Sequence, residues 1–400
     1  MARVAIIGGG ASGLTASIYA ALKHEVTLFE RNKECGKKIL LTGNGKCNYW
    51  NEDTSNTHFH TENQEKLQEF LAYQNEVFSF FEELGLTPYS KNGYWYPYSL
   101  QAVSVRNALV RVAKLRHVQI KENFLVEEII KKGNTFYINP GKENLAFDKA
   151  VLACGSKASP RTGSDGLGYT LATKLNHTVL PVYPSLVQLI SDESFTKQWA
   201  GVRSEIKATL KIDNKAFKEE KGEIQFTDYG VSGIIIFNLS RDVKKSLMAH
   251  QKVEIIINFL PFLSKEKILP FLEKRNEKLA DQTLEEMLEG LVNYKLIPIL
   301  LKKAHVKNTQ KWQDCSLKEK ENLSNSLGHF SIHITDTKDF SSAQCSRGGI
   351  PLDEINMHTM ESLKTKDLYV IGELLDVDGD CGGYNLGFAW LSGIRCGKNL

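Results

Sequence analysis

The residues best placed to do chemistry stand near the amino terminus, where Gly8-Gly9-Gly10-Ala11-Ser12-Gly13 fits the spacing GxGxxG. An apolar run, Arg3 to Gly8, precedes it. Helical spacing from Ala11 to Leu22 follows, and a second apolar run ends at Glu30. Each position answers a need of a dinucleotide. Gly8 permits a tight turn, Gly10 lets the backbone approach a pyrophosphate, and Gly13 lets a helix pack closely on a strand. The helix start offers N–H donors and the positive end of its dipole to the phosphates. Glu30 would accept from ribose hydroxyls, and its charge disfavours a 2′-phosphate.

A second group lies in the basic, glycine-studded loop Gly36 to Asn48. Gly43 and Gly45 let main chain approach a flat ring system, and Lys37 or Lys38 suits a phosphate or a reduced, anionic flavin. Either lysine serves equally as a solvated surface side chain. Near the carboxyl terminus the apolar run Leu368 to Ile371 ends in Gly372-Glu373, and Asp376, Asp378, Asp380, Gly382, Gly383, Tyr384 and Asn385 lead into a helix. In glutathione-reductase-like and fumarate-reductase-like flavoproteins, such a strand end sets its carboxylate on a ribityl hydroxyl. Amides at the following helix start can face the ring edge where charge gathers on reduction. A solvated acidic turn is the plainer reading of the three aspartates. Tyr89, Tyr94, Trp95, Tyr96 and Tyr98 crowd one short stretch, as a ring-stacking wall or as loop packing.

The elements that must position these groups form two textures. Strand, glycine turn, helix and strand over Arg3 to Glu30 make a βαβ unit. Asn63 to Leu84 reads as a helix, and Phe124 to Ile130, Thr135 to Asn139 and Lys149 to Cys154 read as strands. From Leu186 the texture changes. Leu186 to Ile190, Glu205 to Ile212, Glu223 to Thr227, Ile234 to Leu239 and Lys252 to Leu260 read as strands of an antiparallel sheet or small barrel. Ser264 to Leu327 has helical spacing and nearly balanced charge. The fold class expected is α/β: a discontinuous Rossmann-type domain (1–185 and 335–400), an inserted antiparallel β domain (186–263, completed by 327–334) and a small helical subdomain (264–326).

Composition narrows the function classes. The chain has 400 residues, with 50 basic and 47 acidic side chains and a formal net charge of +3. That balance makes no electrostatic case for a nucleic-acid or membrane-surface protein. No apolar stretch reaches membrane-spanning length. A cytoplasmic protein acting on a small molecule, with no obligate protein partner, is the expectation. The seven cysteines show no CxxC and no Cys/His spacing suited to a metal, so buried small hydrophobes are expected. Cys381, beside the glycine pair, has nothing near it in sequence that would activate a thiol.

Taken in order, GKKILLTGNGKCN (Gly36 to Asn48), NGYWYPYS (Asn92 to Ser99), TGSDGLGY (Thr162 to Tyr169), FTDYGVSG (Phe226 to Gly233), TMES (Thr359 to Ser362) and GELLDVDGDCGGYNLGFAW (Gly372 to Trp390) resemble the BaiN-like bacterial flavoproteins, which include aminoacetone oxidase. The resemblance spans nearly the whole chain and implies FAD. It implies an oxidoreductase working by hydride transfer at flavin N5, either NAD(P)H-fed or an oxygen-using amine oxidase. An FAD-dependent tRNA-modifying enzyme and a flavin redox sensor are the other readings. The cofactor-binding residues expected are Gly8, Gly10, Ala11, Ser12, Gly13, Glu30, Lys38, Gly43, Gly45, Asn48, Val126, Ala153, Cys154, Gly155, Gly372, Glu373, Asp378, Gly382, Gly383, Tyr384 and Asn385. Asp228, Tyr96 and Lys38 are the substrate-side candidates. The chain departs from the family pattern in places: Asp228 replaces a His, Ile234 a Pro, Trp50 a Thr, Gly387 a Gln and Cys154 a Thr. Asp228 bears most on substrate, because Asp has a far lower intrinsic pKa than His.

Overall fold

A computed structural model describes residues 1–142 and 145–400. The chain divides into two compact units, Met1–Pro184 with Phe340–Leu400, and Ser185–Asp339. The first is built on a five-stranded parallel sheet in the order Leu368–Val370, Lys149–Leu152, Arg3–Ile7, Glu25–Phe29 and Gln119–Lys121. Arg3–Ile7 and Lys149–Leu152 are buried almost throughout, as continuous apolar runs in a parallel sheet covered on both faces should be. This is a Rossmann-type α/β architecture.

Helix Ala11–Ala20 packs on the carboxyl-terminal helix Tyr384–Asn399 through small residues. A Cβ on Gly393 would stand 2.6 Å from the carbonyl oxygen of Ser12, and one on Gly397 would stand 2.5 Å from that of Ala16. The two backbones touch where those side chains are missing. Two three-stranded sheets also belong to this unit. Ile129–Lys132, Thr135–Ile138 and Leu145–Phe147 form one antiparallel group. Trp50–Asn51, Tyr94–Pro97 and Pro88–Lys91 form the other.

The second unit carries a seven-stranded sheet, in the order Phe330–His333, Val253–Asn258, Arg203–Ile212, Lys215–Thr227, Gly230–Ser232, Leu189–Ile190 and Asp336–Thr337. Its strands pair antiparallel. Helices Lys265–Leu279, Leu284–Leu288, Ile297–Ala304 and Leu317–Gly328 share one apolar core with it, Ile268, Leu272, Leu300 and Leu323 joining Ile255 and Ile257. Capping boxes start two of these helices, Thr283 with Glu286 and Ser316 with Glu319.

Three expectations need correction. Ile234–Ser240 is a helix, not a strand. Gly233 at φ 108° breaks the preceding strand, and Ile235, Ile236, Leu239 and Ser240 are buried at helical spacing while Ile234 is exposed. A short, mostly apolar run reads alike for both states. The helix expected over Asn63 to Leu84 is two, Gln64–Leu71 and Glu76–Glu83. The strand expected from Phe124 starts only at Ile129, because the N–H groups of Asn123 and Phe124 are spent on the carbonyls of Asn32 and Glu30. Among the described residues, no helix is long and apolar enough to cross a membrane.

The helix–helix contact makes a stability prediction. Gly393→Ala improves helix propensity but forces its new Cβ against main chain. We expect a net loss of about 1–3 kcal/mol, the usual cost of overpacking, read by denaturant unfolding. A gain in stability would show that the helices do not touch there.

Candidate functional site

The glycine turn separates its three glycines by what surrounds them. Gly8 takes φ 111°, and a Cβ there would lie 2.3 Å from the carbonyl oxygen of Ala153. One on Gly13 would lie 1.9 Å from the carbonyl oxygen of Gly8. A Cβ on Gly10 would meet nothing within 4 Å. The outer glycines are thus demanded by the protein's own packing, and the middle one faces open space. Helix Ala11–Ala20 begins at Gly10 with no side-chain cap and no acidic residue in its first turn. Its leading N–H groups suit an anion.

Glu30 is 7% exposed. Its Oε2 accepts from the N–H of Gly9 at 2.9 Å, and its Oε1 accepts from the backbone and side-chain N–H groups of Asn32 at 2.8 and 2.7 Å. Oε2 keeps lone-pair capacity for a hydroxyl. Phe124 donates to the Glu30 carbonyl at 2.9 Å, which brings the segment leading to buried Val126 alongside. On the other side Ala153 donates to the carbonyl of Ile7 at 2.8 Å, and the Cys154 thiol reaches the same oxygen at 3.4 Å. Burial pushes that thiol up to about 12, so it stays protonated. Gly155 (φ 72°) and Gly372 (φ 68°) close the group. A Cβ on Gly372 would lie 2.6 Å from Ser12 Oγ, and one on Gly155 would lie 4.0 Å from Glu373 Oε2. Lys38 Nζ donates to Glu373 Oε2 at 2.6 Å, both side chains being mostly buried. The carboxyl ends of four neighbouring strands therefore converge, as they should at a ligand crevice of an α/β sheet.

The remaining candidates surround the Gly379–Asn385 turn. Asn385 grips Gly379 twice, accepting from its N–H at 3.0 Å and donating to its carbonyl at 2.8 Å. Asn51 donates to the carbonyl of Gly382 at 3.0 Å, and a Cβ on Gly383 would lie 2.8 Å from the Trp50 backbone. Gly43 packs on Asn48, whose backbone nitrogen would lie 2.8 Å from its Cβ, whereas Gly45 faces open space. Asp376, Asp378 and Asp380 are all buried, so they do not form a solvated turn. Asp378 pairs as a strand residue with His60. Strand alternation puts Tyr94 and Tyr96 on one face, with Tyr89 opposite Tyr96, and the Tyr94 ring meets Gly382. Burial, helped by nearby Tyr94, raises the pKa of Tyr96. Trp95, on the other face, packs edge-on to Phe78. Asp228 belongs to the second unit, where it is exposed in the two-residue turn between Lys215–Thr227 and Gly230–Ser232.

Two histidines escaped sequence reasoning. His58 Nδ1 lies 3.2 Å from Asp380 Oδ2, and His60 Nε2 lies 3.1 Å from Asp380 Oδ1. His58 Nε2 lies 3.0 Å from Asp53 Oδ2, and its ring stacks on Tyr384 at 4.7 Å. His58 ends the short 3-10 turn Asn56–His58 and His60 lies in the strand Phe59–His60 that follows, so no single local period marks the two imidazoles.

Two departures from the family pattern occupy one place. A Cβ on Gly387 would stand 2.2 Å from Cζ3 of Trp50, so the indole fills the room that a side chain at 387 would need. Gly387→Gln alone should destabilise by about 3 kcal/mol through overpacking, and Trp50→Thr alone by about 3 kcal/mol through the cavity it leaves. The double variant should lose about 1–3 kcal/mol less than the sum. Strict additivity in denaturant unfolding would contradict the exchange.

Comparison with known proteins shows the family. A family model described as HI0933-like protein Rossmann domain matches residues 2–399. A 3-dehydro-bile acid delta(4,6)-reductase of Clostridium scindens is 37% identical, covering 100% of this chain and 98% of that protein. A ribosomal RNA dihydrouridine synthase of Haemophilus influenzae is 27% identical, covering 99% and 97%. The crystal structure of a 3-ketosteroid-delta4-(5alpha)-dehydrogenase from Rhodococcus jostii RHA1 superposes with a TM-score of 0.51 at 13% identity, covering 100% and 96%, which is a likeness of fold. The chain belongs to the HI0933-like Rossmann family, the BaiN-like group whose motifs its sequence carries.

Proposed function

We propose that this oxidoreductase binds FAD at the glycine turn and reduces a small organic substrate of the conjugated-enone class, with NAD(P)H as a transient donor. One observation carries the reading. Gly10 faces open space in a turn whose other glycines are filled by protein, at an uncapped helix start, within reach of a held carboxylate. These residues fit the cofactor. The N–H groups of Gly10 to Gly13, with Ser12, would hold the pyrophosphate and Glu30 the adenosine ribose. Glu373, held by Lys38, would meet the ribityl chain, and Gly43, Gly45, Asn48, Gly382 and Gly383 would bring backbone close to the ring. When bound, FAD supplies the hydride chemistry at N5. Lys38 and Tyr96 are the substrate-side groups we assign in this unit.

The substrate class follows the Clostridium scindens relative, whose name states reduction of a 3-dehydro-bile acid. A uridine within RNA is a second reading, favoured by the Haemophilus influenzae relative. Anaerobic stopped-flow absorbance decides between them. NADH or NADPH should bleach the oxidised flavin band, and a conjugated 3-oxo steroid should restore it. Restoration by uridine-containing RNA alone would establish the second reading. Bleaching by neither nucleotide would overturn the reductase, and aminoacetone would then be the first reductant to try.

Gly10→Ala separates fold from ligand. It should leave thermal unfolding unchanged while weakening FAD at least roughly tenfold, since about 1.4 kcal/mol of steric and hydrogen-bond loss suffices for that factor. Unchanged affinity by fluorescence titration would remove Gly10 from the cofactor contact.

A further inference from the structure

We infer that Asp53, His58, Asp380 and His60 form a hydrogen-bonded proton reservoir that sets the charge beside the Gly379–Asn385 turn, an inference that rests on the flavin reading above. The geometry at His58 carries it. Both ring nitrogens face carboxylates, Nδ1 at 3.2 Å from Asp380 and Nε2 at 3.0 Å from Asp53. A neutral imidazole has one N–H and one lone pair, so it can donate to only one of them and would set its lone pair against the other. The imidazolium donates to both. His58 is therefore a charged ring in this arrangement, and losing its proton breaks one bond and leaves two carboxylates facing each other across it.

The array runs from water inwards. The side chain of Asp53 is 60% exposed, those of His58 and His60 31% and 23%, and that of Asp380 only 10%. Asp380 is locked in place, its N–H donating to the His58 carbonyl at 2.9 Å while its two oxygens take one imidazole each. The groups facing His58 are Asp53 on its own loop, Asp380 from the turn and the phenol of Tyr384 from the carboxyl-terminal helix. Burial first, then the charges of Asp53, Tyr94 and Asp380, keep that phenol protonated. Partial burial works against the charge on His58, but its bonds to Asp53 and Asp380 outweigh burial, and its pKa is raised above the ordinary 6.5.

The connection to chemistry passes through Tyr384. The His58 ring stacks on it with 16° between planes, a geometry that favours a cation over an aromatic face. Tyr384 follows Gly382 and Gly383 directly, where backbone would meet the ring system. A positive charge there favours a reduced, anionic ring, and its loss disfavours one. His58 is thus a positioning residue acting through Tyr384 and the turn. The array neither makes nor consumes protons; it takes one from water at Asp53 and returns it there.

Two readouts test this, and only one needs the cofactor. Nitrogen-15 NMR of histidine-labelled protein, the His58 signals being assigned by their loss in His58→Gln, should show both ring nitrogens protonated at neutral pH. Asp53→Asn should lower the His58 pKa by about one unit, the usual effect of one adjacent charge. A neutral tautomer at pH 7, or a titration indifferent to Asp53, would overturn the reservoir. In the flavin-loaded protein, the reduction potential of the wild type should bend with pH where His58 titrates, and His58→Gln should lack the bend. Identical profiles would overturn the coupling. A protein that binds no FAD would defeat the functional reading, while the imidazole signals would still judge the array. The sign for stability follows too. The benefit of His58 should be full below pH 6.5, where the unfolded ring is also charged, and fade as pH rises through the folded value.

Discussion

Four strand ends can converge because glycines stand where a side chain would come between them. Gly13 and Gly8 lie so close that a single carbon on either would collide with main chain, and the same holds where Gly393 and Gly397 meet the amino-terminal helix. These contacts draw the first helix onto its strand and the last helix onto the first. The last helix brings the Gly379–Asn385 turn with it. Gly372, fixed over Ser12 and donating its N–H to Ser392 Oγ at 3.0 Å, carries Glu373 towards Lys38. Loosen the first contact and the later ones lose their reference frame.

On that frame the polar groups are arranged by purpose. Buried carboxylates are costly unless they are bonded, and those around the crevice illustrate it. Glu30 is held by Gly9 and Asn32, Glu373 by Lys38, Asp376 by Thr61 and Glu62, and Asp380 by two imidazoles. The cysteines, by contrast, behave as apolar filler. Five of the seven are buried. Burial lifts Cys35 and Cys47 to about 12, which suits packing and not nucleophilic work.

Local signals were legible where chemistry is local. The turn, its helix and Glu30 sit within one βαβ unit, and a glycine pattern in that setting has few alternatives. Lys38 and Glu373 were each legible, but their pairing was not, because it joins residues 335 apart in sequence. The Asp380 pairing with His58, 322 apart, had no counterpart in any motif. Ile234–Ser240 failed for another reason: a short run of branched apolar residues carries no period, and the break at Gly233 decides its state. Trp50 and Gly387 looked like two unrelated departures until their common volume was visible.

The central claim is that the crevice at the strand ends is a complete FAD site built by a single chain. Equilibrium titration of flavin-depleted protein with FAD, followed by quenching of flavin fluorescence, tests it most directly. The account predicts saturable binding of one FAD per chain, abolished or strongly weakened in Glu30→Gln, whose fold should persist. A protein that stays folded yet binds no FAD, or binds it equally well without the Glu30 charge, would contradict it.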